Sequence, residues 1–303
     1  MFFAILRIEL FKIFKRPRTF ISFGAIAIIV LLVQLALKVN GKDFIELYTD
    51  SQSDTFYIPY DKMVNGYFVC VAVLHMILIH VPLLIALIAG DMISGEANLG
   101  TLRLLGSKPV TRTELILAKF SASSVYVILL LIWMAFLALF GSILLFGKGD
   151  LVVFKEMDWH QMNDYDVLWR FFAAFIFAAL ALTTIAAMAM MFSVFSENSL
   201  GPIVATVCVV IVFTIIQQLK VPMFEQTINP WSFTTHMLGW KGFFYVEKSA
   251  DGTTIDGSIE NPTALVRSAM ILIGYIVLFL GVTIWYFRKI AHLHFQRDAF
   301  DTV

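Results

Sequence analysis

The sequence predicts an all-α integral membrane protein with six transmembrane helices, and three observations lead to that fold class. Hydrophobic residues make up 59% of the 303 residues and charged residues 15%, whereas soluble proteins carry about a quarter charged residues. The mean hydropathy is +0.83. Six apolar runs are long enough to cross about 30 Å of hydrocarbon. Each must be helical in lipid, because its backbone polar groups have to find partners within the segment.

The six predicted spans are divided by polar or turn-forming segments, and the whole chain, 1–303, is expected to form a single transmembrane domain. The spans cover residues 20–37, 67–89, 121–146, 168–195, 200–219 and 265–287. Pro82 predicts a kink in the second span, either as a packing feature or as a hinge. The sequence shows no internal repeat.

The distribution of charge predicts which side of the membrane each connection faces. One side holds both termini and the connections between spans two and three and between spans four and five. It carries twelve basic and seven acidic residues, against ten basic and fifteen acidic residues on the opposite side. The first side is therefore expected to be cytoplasmic. A cleaved signal peptide is the alternative at the N-terminus, but the first apolar run is too long for one. We expect a multi-pass protein of the plasma membrane, the inner membrane of a bacterium.

Residues 1–18 predict an amphipathic helix that lies in the membrane interface before the first span. Apolar residues fall on one arc of this helix. The other arc carries Arg7, Glu9, Lys12, Lys15 and Arg16. The basic arc is expected to face lipid phosphates and the cytoplasm. Membrane anchoring is the simpler interpretation, and bracing of a cytoplasmic partner is the more specific one.

Residues 91–119 form the most polar and turn-rich segment near the middle of the chain, and they predict a cytoplasmic elbow between spans two and three. A short helix that exposes Glu96 and Arg103 is expected to end at Pro109. Thr111 and Glu114 then match a capping box at the start of the helix that continues into span three. Such an elbow is stiff, so a push on it is expected to move spans two and three together.

The run 96–112 resembles the cytoplasmic loop of ABC-2 permeases, the membrane subunits of ABC exporters. It has the pattern acidic-x-x-x-Gly-Thr-Leu-Arg-Leu-Leu-x-Ser-x-Pro-Val-Thr-Arg. Six spans, an interfacial N-terminal helix and a short turn at residues 196–199 also fit that family. The resemblance implies that the elbow is a coupling helix that docks on an ATPase subunit. It also implies that two permease chains assemble around a transport path.

The same resemblance implies an ATPase-docking role for six residues of the elbow. These residues are Glu96, Gly100, Thr101, Arg103, Pro109 and Arg112. The charges of Glu96 and Arg103 would face the ATPase, Gly100 would permit close approach, and the last two would fix the elbow. The alternative is that these residues only shape a loop.

The chain lacks the Gly-x-x-x-x-Gly-Lys-Ser/Thr motif that binds nucleotide phosphates. The ATPase, with its ATP and Mg²⁺, is therefore expected to be a separate chain present in two copies, and this chain itself is expected to hold no cofactor. A second permease chain, identical or different, is expected to complete the dimer. The zero net charge gives no indication of nucleic-acid binding.

The predicted spans contain no Asp or Glu, which disfavours ion-coupled transport. The polar candidates for a transport path are His75, His80, Thr183 and Thr184. The two histidines are five residues apart and do not share a helix face well, so a metal site is not predicted and hydrogen bonds to neighbouring helices are expected. This sparse polar lining favours an amphipathic, lipid-like, peptide or drug cargo.

The external segment 220–264 is rich in aromatic residues and precedes the last span. An aromatic belt at the outer interface is one interpretation. By resemblance, the alternative is an outer gate, in which Trp231, His236 and Trp240 would line an exit. Residues 251–257 predict a β-turn or hairpin and not a Ca²⁺ loop, because the carboxylate spacing is wrong.

Two other classes of function were weighed against a transporter. A membrane subunit that relays ATPase motion to an extracytoplasmic partner without passing a solute would use the same elbow, and the sequence does not separate the two. An intramembrane enzyme is disfavoured, because neither His-Glu-x-x-His nor Gly-x-Ser-x-Gly is present.

Overall fold

The structure, a computed structural model, describes residues 1–50, 64–77, 80–100, 111–155, 158–219, 221–249 and 254–300. The helices in chain order are α1 (Phe2–Lys15), α2 (Pro17–Asp50), α3 (Gly66–Ile77), α4 (Val81–Ala89), α5 (Asp91–Asn98), α6 (Arg112–Ala135), α7 (Gly141–Phe146), α8 (Asp164–Val194), α9 (Leu200–Gln218), α10 (Pro222–Thr227), α11 (Phe233–Met237) and α12 (Pro262–Phe300). A π-helical turn, Phe136–Phe140, joins α6 to α7, and a 3₁₀ helix, Leu238–Phe244, follows α11.

Six helical stretches of the described chain are long and apolar enough to cross a membrane, which confirms the predicted fold class. They are Pro17–Gly41, Val81–Asn98, Arg112–Phe146, Asp164–Val194, Leu200–Gln218 and Pro262–Lys289. The first, fourth, fifth and sixth match the predicted spans within a few residues at each end, and the third matches at its end but begins nine residues earlier. The second differs, because its apolar helix is divided and its inner part extends into the elbow.

The second span ends its outer helix, α3, at Ile77 and begins the inner helix α4 at Val81. Pro82 lies in the first turn of α4, where proline is tolerated because the backbone N–H it lacks would have no intrahelical partner. The predicted interruption at Pro82 is therefore present as a new helix start. At its other end, α4 passes through Gly90 with near-helical backbone angles into α5, so the elbow continues span two.

The central helix of the bundle is α8, which packs against α12, α6, α9 and α4. Its buried face contains small residues such as Ala174, Ala178 and Ala181, which allow neighbouring helices to approach closely. Helices α9 and α12 are mostly uncovered along their apolar length. Their outer faces are thus free to meet lipid or a second chain.

The structure contains a β-hairpin, on the side expected to be external, that the sequence did not indicate. Strands β1 (Leu151–Lys155) and β2 (Asp158–Met162) pair antiparallel, with Val153 opposite His160. A second pairing joins Lys248 to Thr254 and agrees with the hairpin predicted at 251–257, of which residues 251–253 lie outside the described chain. The apolar run of β1, Leu-Val-Val-Phe, is too short for its pattern to separate a strand from the end of a span.

Candidate functional site

Helix α1 packs against α6 at the predicted cytoplasmic end of the bundle. The face that packs contains Glu9 and Ile13, both of which are buried, while Phe3 and Phe11 point away from the bundle. The predicted arcs are therefore partly wrong. Arg7 and Lys15 are exposed as expected, but Glu9 lies in the packed interface. The reason is that the other helices supply partners for this carboxylate.

Four charged side chains from three helices form what we term the elbow ion-pair cluster: Glu9, Lys12, Glu96 and Lys119. Lys12 Nζ lies 2.8 Å from Glu9 Oε1 and 2.7 Å from Glu96 Oε1. Lys119 Nζ lies 2.9 Å from Glu9 Oε2 and 2.8 Å from Glu96 Oε1. Two carboxylates and two ammonium groups balance one another. The cluster joins α1 to α5 and to α6, which are the two limbs of the elbow.

Burial makes this cluster sensitive to the loss of any member. The side chains of Glu9 and Lys119 are 3% and 1% exposed. Removing one partner of a buried ion pair leaves an uncompensated charge and costs about 3–5 kcal/mol. Burial alone would lower the pKa of Lys12, but its hydrogen bonds to Glu9 and Glu96 and their charges outweigh burial and raise that pKa. Lys12 is therefore charged at physiological pH.

A second buried carboxylate, Asp91 at the start of α5, holds the junction between α1 and α2. Its Oδ2 forms ion pairs with Arg16 Nη1 and, at 2.8 Å, with Arg18 Nη2. The hydroxyl of Thr19 donates to the carbonyl oxygen of Ile13 at 2.5 Å across the same junction. Span one is thus joined to the elbow through charged side chains that flank Pro17.

The Asp91 carboxylate occupies the space that a side chain at position 95 would need, and residue 95 is a glycine. A Cβ added at Gly95 would lie 2.5 Å from Asp91 Oδ1 and 2.9 Å from Oδ2. The two residues are four apart in α5 and so lie on one face of that helix. Glycine at this position is a requirement of packing, since its backbone is ordinary helix.

The central helix holds the junction of α4 and α5 through one hydroxyl. Ser193 Oγ of α8 donates to the carbonyl oxygen of Gly90 at 2.6 Å and accepts from the backbone N–H of Ser94 at 2.9 Å. Ser94 Oγ also donates to the Gly90 carbonyl, at 2.8 Å. These bonds fix the elbow's first limb to the core of the bundle.

The second limb begins as the sequence predicts. Thr111 is the N-cap of α6, and its Oγ1 accepts from the backbone N–H of Glu114 at 3.3 Å. Arg112 donates to the carbonyl oxygen of Arg288 at 3.2 Å, and Arg288 donates to Thr113 Oγ1 at 2.6 Å. The limb is therefore also tied to α12.

The structure corrects the exposure predicted for one docking residue and describes two others. Glu96 was expected to be exposed, but it is 5% exposed because Lys12 and Lys119 neutralise it from two sides. Gly100 adopts a φ of +68°, which favours glycine. Arg112 is half-buried. The remaining predicted docking residues, Thr101, Arg103 and Pro109, lie outside the described residues.

The predicted transport-path residues bond to carbonyl oxygens three or four residues before them in the chain. Nδ1 of His75 pairs with the carbonyl oxygen of Val71 at 3.1 Å, and Nδ1 of His80 with that of Met76 at 2.9 Å. The expectation of hydrogen bonds to neighbouring helices is therefore wrong for Nδ1 of His75, whereas His80, which precedes α4, bonds the end of α3. Both imidazoles are exposed on the single chain.

The two path threonines, Thr183 and Thr184, both donate to the carbonyl oxygen of Leu180, at 2.8 and 3.1 Å. Thr184 is fully buried within the chain, whereas Thr183 is partly exposed. Bonding to the preceding turn satisfies a hydroxyl in an apolar helix without any partner helix.

The three predicted gate residues occupy different environments. Trp231 is 73% exposed, whereas His236 and Trp240 are buried. His236 lies between the carbonyl oxygen of Pro230 and the hydroxyl of Ser268, each 3.0 Å away. The ring of Trp240 contacts that of His75 edge-on, with centroids 5.2 Å apart. The structure thus brings one path candidate and one gate candidate together.

A buried ion pair at the predicted external end was not selected from the sequence. Arg170 is fully buried and donates to Asp166 Oδ2 at 2.6 Å. It also donates to the carbonyl oxygens of Phe243 and Ser258, both at 2.8 Å. The i, i+4 spacing was visible in the sequence, but the loop carbonyls could only come from the fold. This arginine attaches the external loop to α8.

Metal-binding groups are not apparent: within the described parts of the chain, no group of three or more His, Cys, Asp or Glu side chains is placed to hold a metal ion.

The sequence profile of the ABC-2 family transporter protein matches residues 3–290, nearly the whole length of the chain. No protein in a search of curated proteins matched it.

Proposed function

Because the chain belongs to the ABC-2 transporter family and is a membrane-embedded permease subunit of an ABC transporter, we propose that ATPase motion enters it through the elbow 91–119. The observation that carries this proposal is the elbow ion-pair cluster. It joins both limbs of the elbow through buried charges, so a force applied between the limbs displaces them together.

The surface that would meet the ATPase is the tip of the elbow. Leu99 is 69% exposed at the end of α5, and Asn98 beside it is exposed. Gly100, Thr101, Arg103, Pro109 and Arg112 follow along the chain and are proposed to form the docking surface. Glu96 is proposed to support that surface from within the protein and not to contact the ATPase, since its carboxylate is already neutralised by two lysines.

The assembly is proposed to contain two permease chains and two copies of the ATPase, which would supply ATP and Mg²⁺. Two features of the single chain support a second permease. Helices α9 and α12 leave their apolar faces uncovered. His75 and His80 are exposed within span two, and polar side chains at that depth are costly against lipid unless they face protein or water. These faces are proposed to border the transport path.

The cargo is proposed to be amphipathic: a lipid-like molecule, a peptide or a drug. The buried charged side chains of the described spans lie near the ends, with Asp91, Glu96 and Lys119 at the elbow and Asp166 and Arg170 at the opposite end. The stretch between them offers hydroxyl, imidazole and apolar groups. The direction is proposed to be export from the cytoplasm across a bacterial plasma membrane, with both termini inside.

Charge reversal at the elbow tests this proposal. Arg103→Glu should reduce the amount of ATPase that co-purifies from native membranes at least about fivefold. Lys148→Glu, at an exposed lysine of the predicted opposite side, is the matched control and should leave co-purification unchanged. Mass spectrometry of the wild-type complex should identify a protein with a nucleotide-binding motif. Its absence from intact, folded wild-type protein would overturn the proposal.

A relay of motion to an extracytoplasmic partner is the second candidate function. The observation that favours it is Arg170, which holds the external loop rigidly on α8 and so gives the outer end a surface able to transmit force. Reconstituted complexes separate the two candidates. Solute movement that depends on ATP supports transport, and ATP hydrolysis with no movement of any amphipathic probe supports the relay.

A further inference from the structure

We infer that Lys119 makes the N-terminal helix α1 a working part of the coupling elbow, so that ATPase motion reaches span one as well as spans two and three. This inference rests on the proposed function and assigns Lys119 as a positioning residue for it. It extends the expectation from the sequence, in which a push on the elbow moves spans two and three together.

The ammonium group of Lys119 joins three elements and uses all of its hydrogen-bonding capacity to do so. A lysine ammonium has three donors. Those of Lys119 reach Glu9 Oε2 of α1 at 2.9 Å, Glu96 Oε1 of α5 at 2.8 Å and the carbonyl oxygen of Met92 at 3.1 Å. Because Lys119 itself belongs to α6, one side chain links α1 to both limbs of the elbow.

Burial turns this link into a mechanical one. Separating α1 from the elbow would break the Lys119–Glu9 and Lys12–Glu96 contacts, so that each buried carboxylate would keep one of its two lysines, and the loss of buried ionic contacts is costly. Lys12 bridges the same two carboxylates from the more exposed side. Within the small displacements of a transport cycle, α1 therefore follows the elbow.

The connection continues from α1 to span one. Arg16 ends α1 and Arg18 lies in the first turn of α2, and both form ion pairs with Asp91 of α5. The exposed arc of α1, which includes Phe3 and Phe11, remains available for the membrane surface. Helix α1 thus has one face on the elbow and one face outward, and its C-terminal end connects to span one.

Two variants separate a positioning role from charge balance. Lys119→Met leaves the two carboxylates with Lys12 alone. Glu9→Gln combined with Lys119→Met restores the balance, because Glu96 keeps Lys12, but removes the bridge between α1 and α6. Arg7→Gln, which removes an exposed charge from the same helix, is the control.

The measurement uses the complex with its co-purified ATPase. Nitroxide labels at Phe3→Cys and Leu117→Cys, both at exposed positions, in a chain with Cys70 and Cys208 replaced by Ala, report the distance between α1 and α6, the second limb of the elbow. With the bridge present, this distance should stay constant between the nucleotide-free and vanadate-trapped states. In the Glu9→Gln/Lys119→Met variant it should change on trapping, and ATPase activity should fall at least about fivefold.

The possible results are distinguishable. If the double variant retains wild-type ATPase activity and a constant distance, Lys119 serves charge balance alone and the inference is overturned. If the distance changes on trapping in the wild type, α1 does not follow the elbow and the inference is also overturned. If the wild-type chain carries no ATPase at all, the proposed function fails first, and that result is visible before any variant is made.

Discussion

At the scale of single residues, the predicted cytoplasmic end depends on groups whose identity is fixed by one or two contacts. Gly95 has no side chain because the carboxylate of Asp91 occupies that space. The hydroxyl of Ser193 donates to the backbone carbonyl of Gly90 and accepts from the backbone N–H of Ser94, at the junction of α4 and α5. Neither residue belongs to a motif: Gly95 is explained by a carboxylate one helical turn earlier, and Ser193 by a backbone carbonyl 103 residues away.

Gly95→Ala should destabilise the protein by about 1–3 kcal/mol, the usual cost of inserting a methyl group into a filled space. The added Cβ would displace the Asp91 carboxylate from Arg16 and Arg18. Thermal unfolding in detergent measures the effect. Gly274→Ala is the control, since a Cβ there meets nothing within 4 Å, and it should be neutral or slightly stabilising. Equal effects at both glycines would contradict the packing explanation.

At the scale of elements, span three contains an interruption of its own. The π-helical turn Phe136–Phe140 divides it into α6, which is joined to the elbow, and the short α7, which packs on α3. Gln34 of span one is buried beside this turn, and its Nε2 donates to the carbonyl oxygen of Leu137 and to Ser142 Oγ, each at 3.0 Å. A π-helical turn releases carbonyl groups from the α-helical pattern, and Gln34 satisfies one of them.

Gln34→Leu should therefore weaken span three at this turn by about 1 kcal/mol, a typical value for polar contacts between membrane helices. Hydrogen exchange should become faster at the backbone amides of residues 136–142 and stay unchanged in α8. Gln218→Leu, at an exposed position near the end of α9, provides the comparison. Unchanged exchange in the Gln34 variant would show that the turn holds without this side chain.

At the scale of the whole molecule, buried charges lie at both ends of an apolar bundle. The elbow ion-pair cluster joins α1, α5 and α6, and Arg170 joins α8 to the external loop. Between them the described spans are held by apolar packing around α8. Charged clusters at the two ends make each end a rigid body, and the apolar middle is where helices can shift against one another.

Arg170→Met should destabilise the protein by about 3–5 kcal/mol, because it leaves Asp166 buried without its partner. Two loop carbonyls would lose their donor as well. The paired variant Asp166→Asn/Arg170→Met should recover part of this loss, since the uncompensated charge is gone. Unfolding in detergent compares the two variants. A paired variant as unstable as the single one would show that the loop carbonyls, and not the ion pair, carry the stability.

The sequence by itself determined the six spans, the interruption of span two near Pro82, the cap at Thr111 and the family resemblance of the elbow. Each of these follows from local properties: runs of apolar residues, the missing N–H of proline, a hydroxyl three residues before a backbone donor, and a short motif. The position of the elbow between spans two and three also follows from the order of those runs.

Only the tertiary structure decided which charges are buried. Glu96 reads as an exposed docking residue and Glu9 as part of a polar arc, until Lys119 approaches both from another helix. Lys119 is 110 residues from Glu9 along the chain, and Lys12 is 84 residues from Glu96. Hydropathy is a local property, whereas the burial of a charge depends on whether the fold brings a counter-charge within about 3 Å. The sequence therefore located the elbow, and the fold decided how it is held.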